Sequence, residues 1–186
     1  MKYLNVLKKL SREDATNKIL VAFAVLFLAA SVVPLIDDNH EEGFSADSIR
    51  TIDGDTLEAF YNGSSVTVRF IGVDTPETFV ENNPEEFGLS DTEEHRECLK
   101  HYAKESTRYV EHFTGPETRI VTDEVSDTYG YYGRLLAYIK KDNRSLNREL
   151  LERGYARVYE SEFAYLEEYR TLEEQAREQE RGVWSC

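Results

Sequence analysis

Residues 49–77 read IRTIDGDTLEAFYNGSSVTVRFIGVDTPE. Three runs in this stretch, 49–52, 56–61 and 66–71, carry the β-branched and aromatic residues that fit a pleated, half-buried surface. Between the second and third runs sits Asn62-Gly63. Both central residues of a type I′ turn need positive φ, so this dipeptide predicts a tight hairpin. The three strands are therefore expected to form a meander. Antiparallel pairing sets the start of the second strand beside the end of the third, which brings Asp55 and Asp74 to one end of the sheet.

Toward the C-terminus, apolar residues at helical spacing (Leu99, Tyr102, Ala103, Tyr109, Val110, Phe113) predict a helix over 93–113. Ser90 and Glu93 are placed as its capping box, and Gly115-Pro116 ends it. Two further strands, 119–122 and 135–140, flank a Tyr/Gly-rich turn. A short helix is expected from a Ser145 cap to Gly154, and a last one over 162–181. Residues 82–91 read only as an acidic loop. Five short strands, a helix after the third and helices at the end predict an α+β fold: a five-stranded, partly open OB-type β-barrel with about three helices, spanning 46–186. A chain of 186 residues suits one such domain.

Toward the N-terminus the pattern changes. Residues 1–18 are basic, with Lys2, Lys8, Lys9, Arg12 and Lys18 against Glu13 and Asp14. Residues 19–36, ILVAFAVLFLAASVVPLI, carry no charge, and at about 1.5 Å per residue such a helix nearly crosses a ~30 Å hydrocarbon layer. Acidic residues follow. This asymmetry predicts a single-pass anchor in the cytoplasmic membrane, with the N-terminus inside, a polar linker over 37–45, and the domain outside. A cleaved signal peptide, with Ala29-Ala30-Ser31 near the cut and a secreted domain, is the alternative.

Of the 22 basic and 36 acidic side chains, 5 and 2 precede residue 19, leaving 17 and 34 and a net charge of −17 on the rest. Such a surface repels polyanions unless a local cationic site works within the acidic shell, or the surface is adapted to strong salt, where the Debye length is roughly 3 Å at 1 M. The two together are expected, against the alternative of an ordinary acidic surface. With 40% hydrophobic residues the chain is not disordered wholesale.

Among the polar residues, Asp53-Gly-Asp55-Thr56 taken alone is turn chemistry. Its meaning changes beside Asp74-Thr75-Pro76-Glu77, because two carboxylates brought together repel unless a cation or proton lies between them. An oxygen-rich pair suits a hard cation such as Ca²⁺. Arg69 lies on the same strand, five residues before Asp74. His40, His95, His101 and His112 have no metal-ligand spacing with cysteine, and neither a nucleophile-elbow serine nor a phosphate-cradling Gly-Lys motif occurs, so zinc and acyl-transfer chemistry are unsupported. Cys98 and Cys186 are the two cysteines; in an exported domain a disulfide between them is expected, the alternative being two free thiols.

Three blocks, Ile52-Asp-Gly-Asp-Thr56, Arg69-Phe-Ile-Gly-Val-Asp-Thr-Pro-Glu77 and Gly133-Arg134-Leu-Leu-Ala-Tyr-Ile139, resemble the thermonuclease (staphylococcal nuclease-like) family in order and spacing. Leu146-Asn147, Arg153-Gly154-Tyr-Ala-Arg-Val158 and the terminal Gly182-Val-Trp184-Ser are also similar to it, so the resemblance covers about Ser45 to Cys186. It implies a Ca²⁺ ion held by the Asp55 and Asp74 carboxylates and the Thr75 carbonyl, with Asp53 in the outer shell. It implies Glu77 to orient or deprotonate water, and Arg69 and Arg134 to hydrogen-bond phosphate oxygens. The implied activity is hydrolysis of DNA and/or RNA phosphodiesters to 3′-phosphate ends. One departure stands out: the family's Asp-x-Tyr-Gly-Arg turn is here Asp127-Thr-Tyr-Gly-Tyr-Tyr-Gly-Arg134, as though three residues were inserted. Tyr132 is the candidate substrate contact, with Tyr129 its duplicate. The rival reading is a catalytically inactive OB-like module binding nucleic acid or protein at the membrane. Such a module has no use for two aspartates, a glutamate and two arginines at one end. No protein partner is indicated, and a monomer is expected.

Overall fold

The computed structural model describes residues 42–186. The basic segment 1–18, the anchor 19–36 and residues 37–41 of the linker lie outside the described residues, among which no helix is long and apolar enough to cross a membrane.

The meander forms as the alternation requires. Strands β2 (Ser48–Thr51), β3 (Thr56–Tyr61) and β4 (Ser64–Phe70) pair antiparallel, with Thr56 opposite Arg69 and Leu57 opposite Val68. Asn62 and Gly63 turn the hairpin at φ 51° and 76°. After the short β5 (Val73–Asp74) comes helix α1 (Glu93–Phe113), then β6 (Arg119–Val121) and β7 (Leu135–Lys141). The chain continues through β8 (Arg144–Ser145), α2 (Leu146–Glu152), β9 (Arg157–Val158) and α3 (Leu166–Glu178), ending in a 3₁₀ turn at Gly182–Ser185.

The sheet is mixed. Its order is β1-β6-β7-β4-β3-β2, where β1 is Gly43–Ser45 and β8 adds to β7. The β4–β7 pair is parallel and its other pairs are antiparallel. This α+β architecture with three described α-helices is OB-like, with seven strands in the main sheet rather than the expected five. One extra strand, β1, lies inside the stretch read as linker: the Phe44 ring packs tilted against Tyr61, centroids 4.8 Å apart, which gives this short run a reason to pair.

The core fills the space between sheet and helices. Leu57, Ala59, Val68, Phe70, Ala137 and Ile139 face Val110, Phe113, Leu150 and Leu151 within one buried cluster. At about 25 cal/mol per Å² of apolar surface removed from water, burial of this kind supplies the dominant favourable contribution to folding. Buried Asn147 ties the sheet to α2. Its Oδ1 accepts from Ile139 N–H at 3.0 Å, and its Nδ2 donates to the Ile71 carbonyl at 2.9 Å.

Three local expectations are corrected. The α1 cap is Thr92, whose Oγ1 accepts from His95 N–H, while the Ser90 carbonyl bonds the His95 ring. The last helix begins at Leu166 rather than 162, because Phe163 is buried and Ala164 N–H is committed to Asp123 at 3.0 Å. The acidic loop 82–91 contains a 3₁₀ turn, Pro84–Phe87, with Phe87 buried against Leu99 and Val183. Cys98 and Cys186 are joined by a disulfide across 88 residues, closing this satellite cluster. For a loop of that size the chain-entropy model allows roughly 4–5 kcal/mol.

Candidate active site

Register places the polar residues. Asp55 ends the turn between β2 and β3, and its carbonyl accepts from Phe70 N–H at 2.9 Å, fixing it beside the end of β4. The turn needs Gly54. A Cβ there would lie 2.3 Å from Ser106 Oγ on α1 and 2.6 Å from Thr75 Oγ1, so only glycine lets the turn press against the helix and the β5 exit. Asp53 closes the same turn, its Oδ1 accepting from Asp55 N–H at 3.1 Å.

Asp55 is 3% exposed. Its Oδ2 accepts from Thr75 N–H at 2.8 Å and from the Thr75 hydroxyl at 3.1 Å; its Oδ1 accepts from the Thr56 hydroxyl at 3.0 Å and touches the Arg69 guanidinium. Arg69 reaches Asp74 Oδ1 at 2.6 Å as well, so one guanidinium bridges the two aspartates that the meander brings to the same end. The second oxygen of Asp74 pairs with Arg157 at 2.6 Å. Asp74 and Arg157 sit opposite each other in the β5–β9 ribbon. Arg157 also lies 5.7 Å from the Phe87 ring centroid and 3.5 Å from Glu86.

Glu77 follows on the loop after β5. Asn82, almost wholly buried, closes this loop: its Oδ1 accepts from Glu77 N–H at 2.6 Å and its Nδ2 donates to the Glu77 carbonyl at 3.0 Å. Partial burial, then the charges of Asp53 and Asp74, push the Glu77 carboxyl up, partly offset by Arg69. Burial likewise raises Asp53, against the pull of Arg69, hydrogen bonds from Thr56, and Arg134. Arg69, Asp53, Asp74 and Glu77 thus share one electrostatic neighbourhood.

Arg134 precedes β7. In the parallel β4–β7 pair Arg69 is opposite Leu136, two residues beyond Arg134. The charge of Arg134 acts on Asp53. The guanidinium of Arg134 lies 5.7 Å from the ring centroid of Tyr132, which is exposed.

The donor set is all oxygen: Asp53, Asp55, Asp74 and Thr75, without histidine or cysteine, which fits a hard divalent cation by chemistry. Burial is the larger cause of the raised Glu77 pKa, and the repulsion by Asp53 and Asp74 that adds to it is a field such a cation would relieve. In the present arrangement, arginines take the place between the carboxylates. Among the described residues no three His, Cys, Asp or Glu side chains converge as a ready ligand group.

The structure gathers Asp53, Asp55, Arg69, Asp74, Thr75 and Glu77, with Arg134 and Tyr132 at the flank. Sequence reasoning missed Arg157 and Asn82. The only available signal for Arg157 was its place in the Arg153–Val158 block, and for Asn82 there was none.

Residues 67–186 match the family profile described as staphylococcal nuclease homologue. An uncharacterized protein of Methanocaldococcus jannaschii, MJ1439, is 36% identical over 163 residues, 80% of this chain and 74% of its own length. Endonuclease YncB of Bacillus subtilis is 32% identical over 73% of this chain, which spans 59% of that protein. The thermonuclease of Staphylococcus hyicus is 31% identical, over 74% of this chain and 73% of its own.

Proposed function

Since the chain belongs to the staphylococcal nuclease family and is a nuclease-type hydrolase, we propose that it uses calcium to hydrolyse phosphodiester bonds of DNA or RNA, leaving 3′-phosphate and 5′-hydroxyl ends. The observation that carries this reading is the bridge from Arg69 to Asp55 and Asp74 beside a Glu77 carboxyl of raised proton affinity.

Each residue has work that its position supports. Glu77 accepts a proton from water; its raised pKa makes it a better base at neutral pH than an ordinary carboxylate. The water oxygen bonds to phosphorus, the bond from phosphorus to the 5′ oxygen breaks, and that oxygen takes a proton from solvent to leave as the 5′-hydroxyl. Arg69 and Arg134 donate hydrogen bonds to the phosphate oxygens as charge builds on them. Asp55 and Asp74, with the Thr75 carbonyl and Asp53 further out, would hold Ca²⁺. The bound ion supplies Lewis-acid polarisation of the phosphate and neutralises the clustered carboxylates. Arg157 and Asn82 position Asp74 and the backbone of Glu77.

The location read for this activity is the outer side of a cytoplasmic membrane, a reading supported by the uncharged run 19–36 with basic residues before it. The test uses the full-length chain in membranes, given single- and double-stranded DNA and RNA with Ca²⁺ or with EGTA, followed by end-group analysis. Cleavage of externally added substrate that needs Ca²⁺ and yields 3′-phosphates is expected. Cleavage indifferent to EGTA, or 3′-hydroxyl products, would overturn the mechanism, and activity confined to the soluble fraction would overturn the tether.

A further inference from the structure

The turn before Arg134 carries three tyrosines, and none enters the core. Tyr129, Tyr131 and Tyr132 are 59%, 96% and 79% exposed. Their exposure is not slackness of the backbone. Gly130 N–H donates to the Arg134 carbonyl at 2.9 Å, Gly133 N–H to the Gly130 carbonyl at 2.9 Å, and Leu136 N–H to the Thr128 carbonyl at 2.9 Å. Tyr129 bridges to Leu135 at the base of the turn. A firmly hydrogen-bonded turn therefore holds two adjacent aromatic rings out in water. Large exposed aromatics of this kind mark a contact surface when they sit together beside a site.

The rings are arranged for use. Tyr131 and Tyr132 meet edge to face, centroids 5.2 Å apart and planes at 90°. Tyr132 is engaged by Arg134, whereas Tyr131, the more exposed of the two, has its described ring contact only with Tyr132. The charge of the chain decides what could dock here. Its net charge is −14, so long-range electrostatics repel a polyanion and a surface for nucleic acid has to attract by other means. Stacking of a base on a neutral ring serves, and within a duplex the base faces are already taken by their neighbours.

Resting on the nuclease reading above, we propose that Tyr131 provides a second base-stacking surface beside Tyr132, so that the turn takes unpaired nucleobases flanking the phosphate held by Arg134. The perpendicular planes put the two ring faces in different directions, so the strand must splay successive bases.

The experiment compares the full-length wild type with Tyr131→Ala, Tyr131→Phe and Tyr131→Trp. Steady-state rates are measured on one labelled oligonucleotide as a single strand, as a blunt duplex, and as a single strand with abasic nucleotides around the cleavage site. Anisotropy of the same labelled single strand without Ca²⁺ reports binding directly. Tyr131→Ala is expected to raise KM and weaken single-strand binding roughly 5- to 100-fold, the scale of one stacked base, with a much smaller change in kcat. Phe and Trp should retain wild-type values, duplex KM should be unmoved, and abasic substitution should erase the difference between wild type and Tyr131→Ala. Equal single-strand KM and binding in wild type and Tyr131→Ala would overturn the proposal, as would an equal loss on duplex or failure of Phe and Trp to restore it. If the wild type cuts nothing, the nuclease reading fails, and the anisotropy series still decides the subsite by the same comparison.

Discussion

Two carboxylate-centred knots in this domain are built by different means. In one, Asp74 is balanced by the charged side chains Arg69 and Arg157, and Arg69 also reaches Asp55, which Thr75 N–H and the Thr56 and Thr75 hydroxyls hold as well. In the other, Asp123 is held by neutral donors: the N–H groups of Val125 and Ser126 at 2.7 Å, Ala164 N–H at 3.0 Å, and the Tyr138 hydroxyl at 2.5 Å. A backbone N–H cannot leave its strand or turn, so the second knot fastens the 123–126 turn to the entrance of α3. A guanidinium on a long side chain can exchange one anion for another. On the proposed reading, Arg69 would trade carboxylate for phosphate and a divalent cation would take its place between the aspartates. The difference teaches which buried charge serves folding and which is left available for chemistry.

The largest expected effect separates the two knots by activity. Glu77→Gln and Arg134→Ala should each lower kcat by at least ~10²-fold, the scale of one positioned catalytic group. Neither side chain anchors the core, so both melting temperatures should stay near that of the wild type. Asp55→Asn should instead weaken the response to Ca²⁺. Initial rates over a Ca²⁺ series beside thermal melts test this, and wild-type cleavage by the Glu77 and Arg134 variants would dissolve the distinction.

Next in size is Asp123→Ala, which leaves the Tyr138 hydroxyl and the three N–H groups without their acceptor. Water reaches the N–H groups of exposed Val125 and Ala164, while the buried Tyr138 is left without its acceptor, so the loss costs about 1–3 kcal/mol, and in a domain of this length that lowers Tm by roughly 2–12 °C. Single-turnover cleavage at a temperature where the variant is fully folded should fall much less than for Glu77→Gln. A variant that melts like wild type yet loses as much activity as Glu77→Gln would place Asp123 on the wrong side of the comparison.

How much of this was legible follows from what fixes each residue. The β2–β4 meander is written in alternation and in Asn62-Gly63, and from its pairing Asp55 and Asp74 fall at one end without further information. Helix α1 is written in its apolar spacing, with bounds at Glu93 and Phe113. Arg157 is another matter: its partner is set by a two-residue ribbon, too short to show any periodicity. Asn82 reads as one more polar residue in an acidic loop, and only the path of the loop buries it against Glu77. Strand β1 has three residues and pairs with a strand some 75 positions away, so nothing local announces it. Local pattern specified the frame, while the residues that steady the site depend on tertiary contact.

The smallest effect is the sign of the pH dependence at Asp123 and at Glu77, the carboxyl beside the first knot. Burial alone would raise the Asp123 carboxyl, but the hydrogen bonds from Tyr138, Ser126, Ala164 and Val125 outweigh it and hold its pKa below the ordinary value. A depressed folded pKa favours the ionised form. Its stabilisation is fully present above the unfolded pKa of about 4 and is lost as pH falls through the lower folded value. Glu77 is shifted the other way, by burial and then by Asp53 and Asp74. Its ionisation therefore opposes folding. The cost is absent at low pH, grows as pH rises above about 4, and is complete once pH exceeds the raised folded value. In EGTA, Asp123→Asn should thus be less stable than wild type at neutral pH, with the gap narrowing as pH drops below 4. Glu77→Gln should equal or exceed wild type at neutral pH, with its advantage vanishing near pH 4. The measurement is Tm against pH from 2.5 to 8 for the three proteins. Two curves displaced from wild type in the same direction at neutral pH would mean that the Asp123 and Glu77 carboxylates serve the fold alike, and the contrast between a charge committed to the fold and one left to the site would carry no functional meaning.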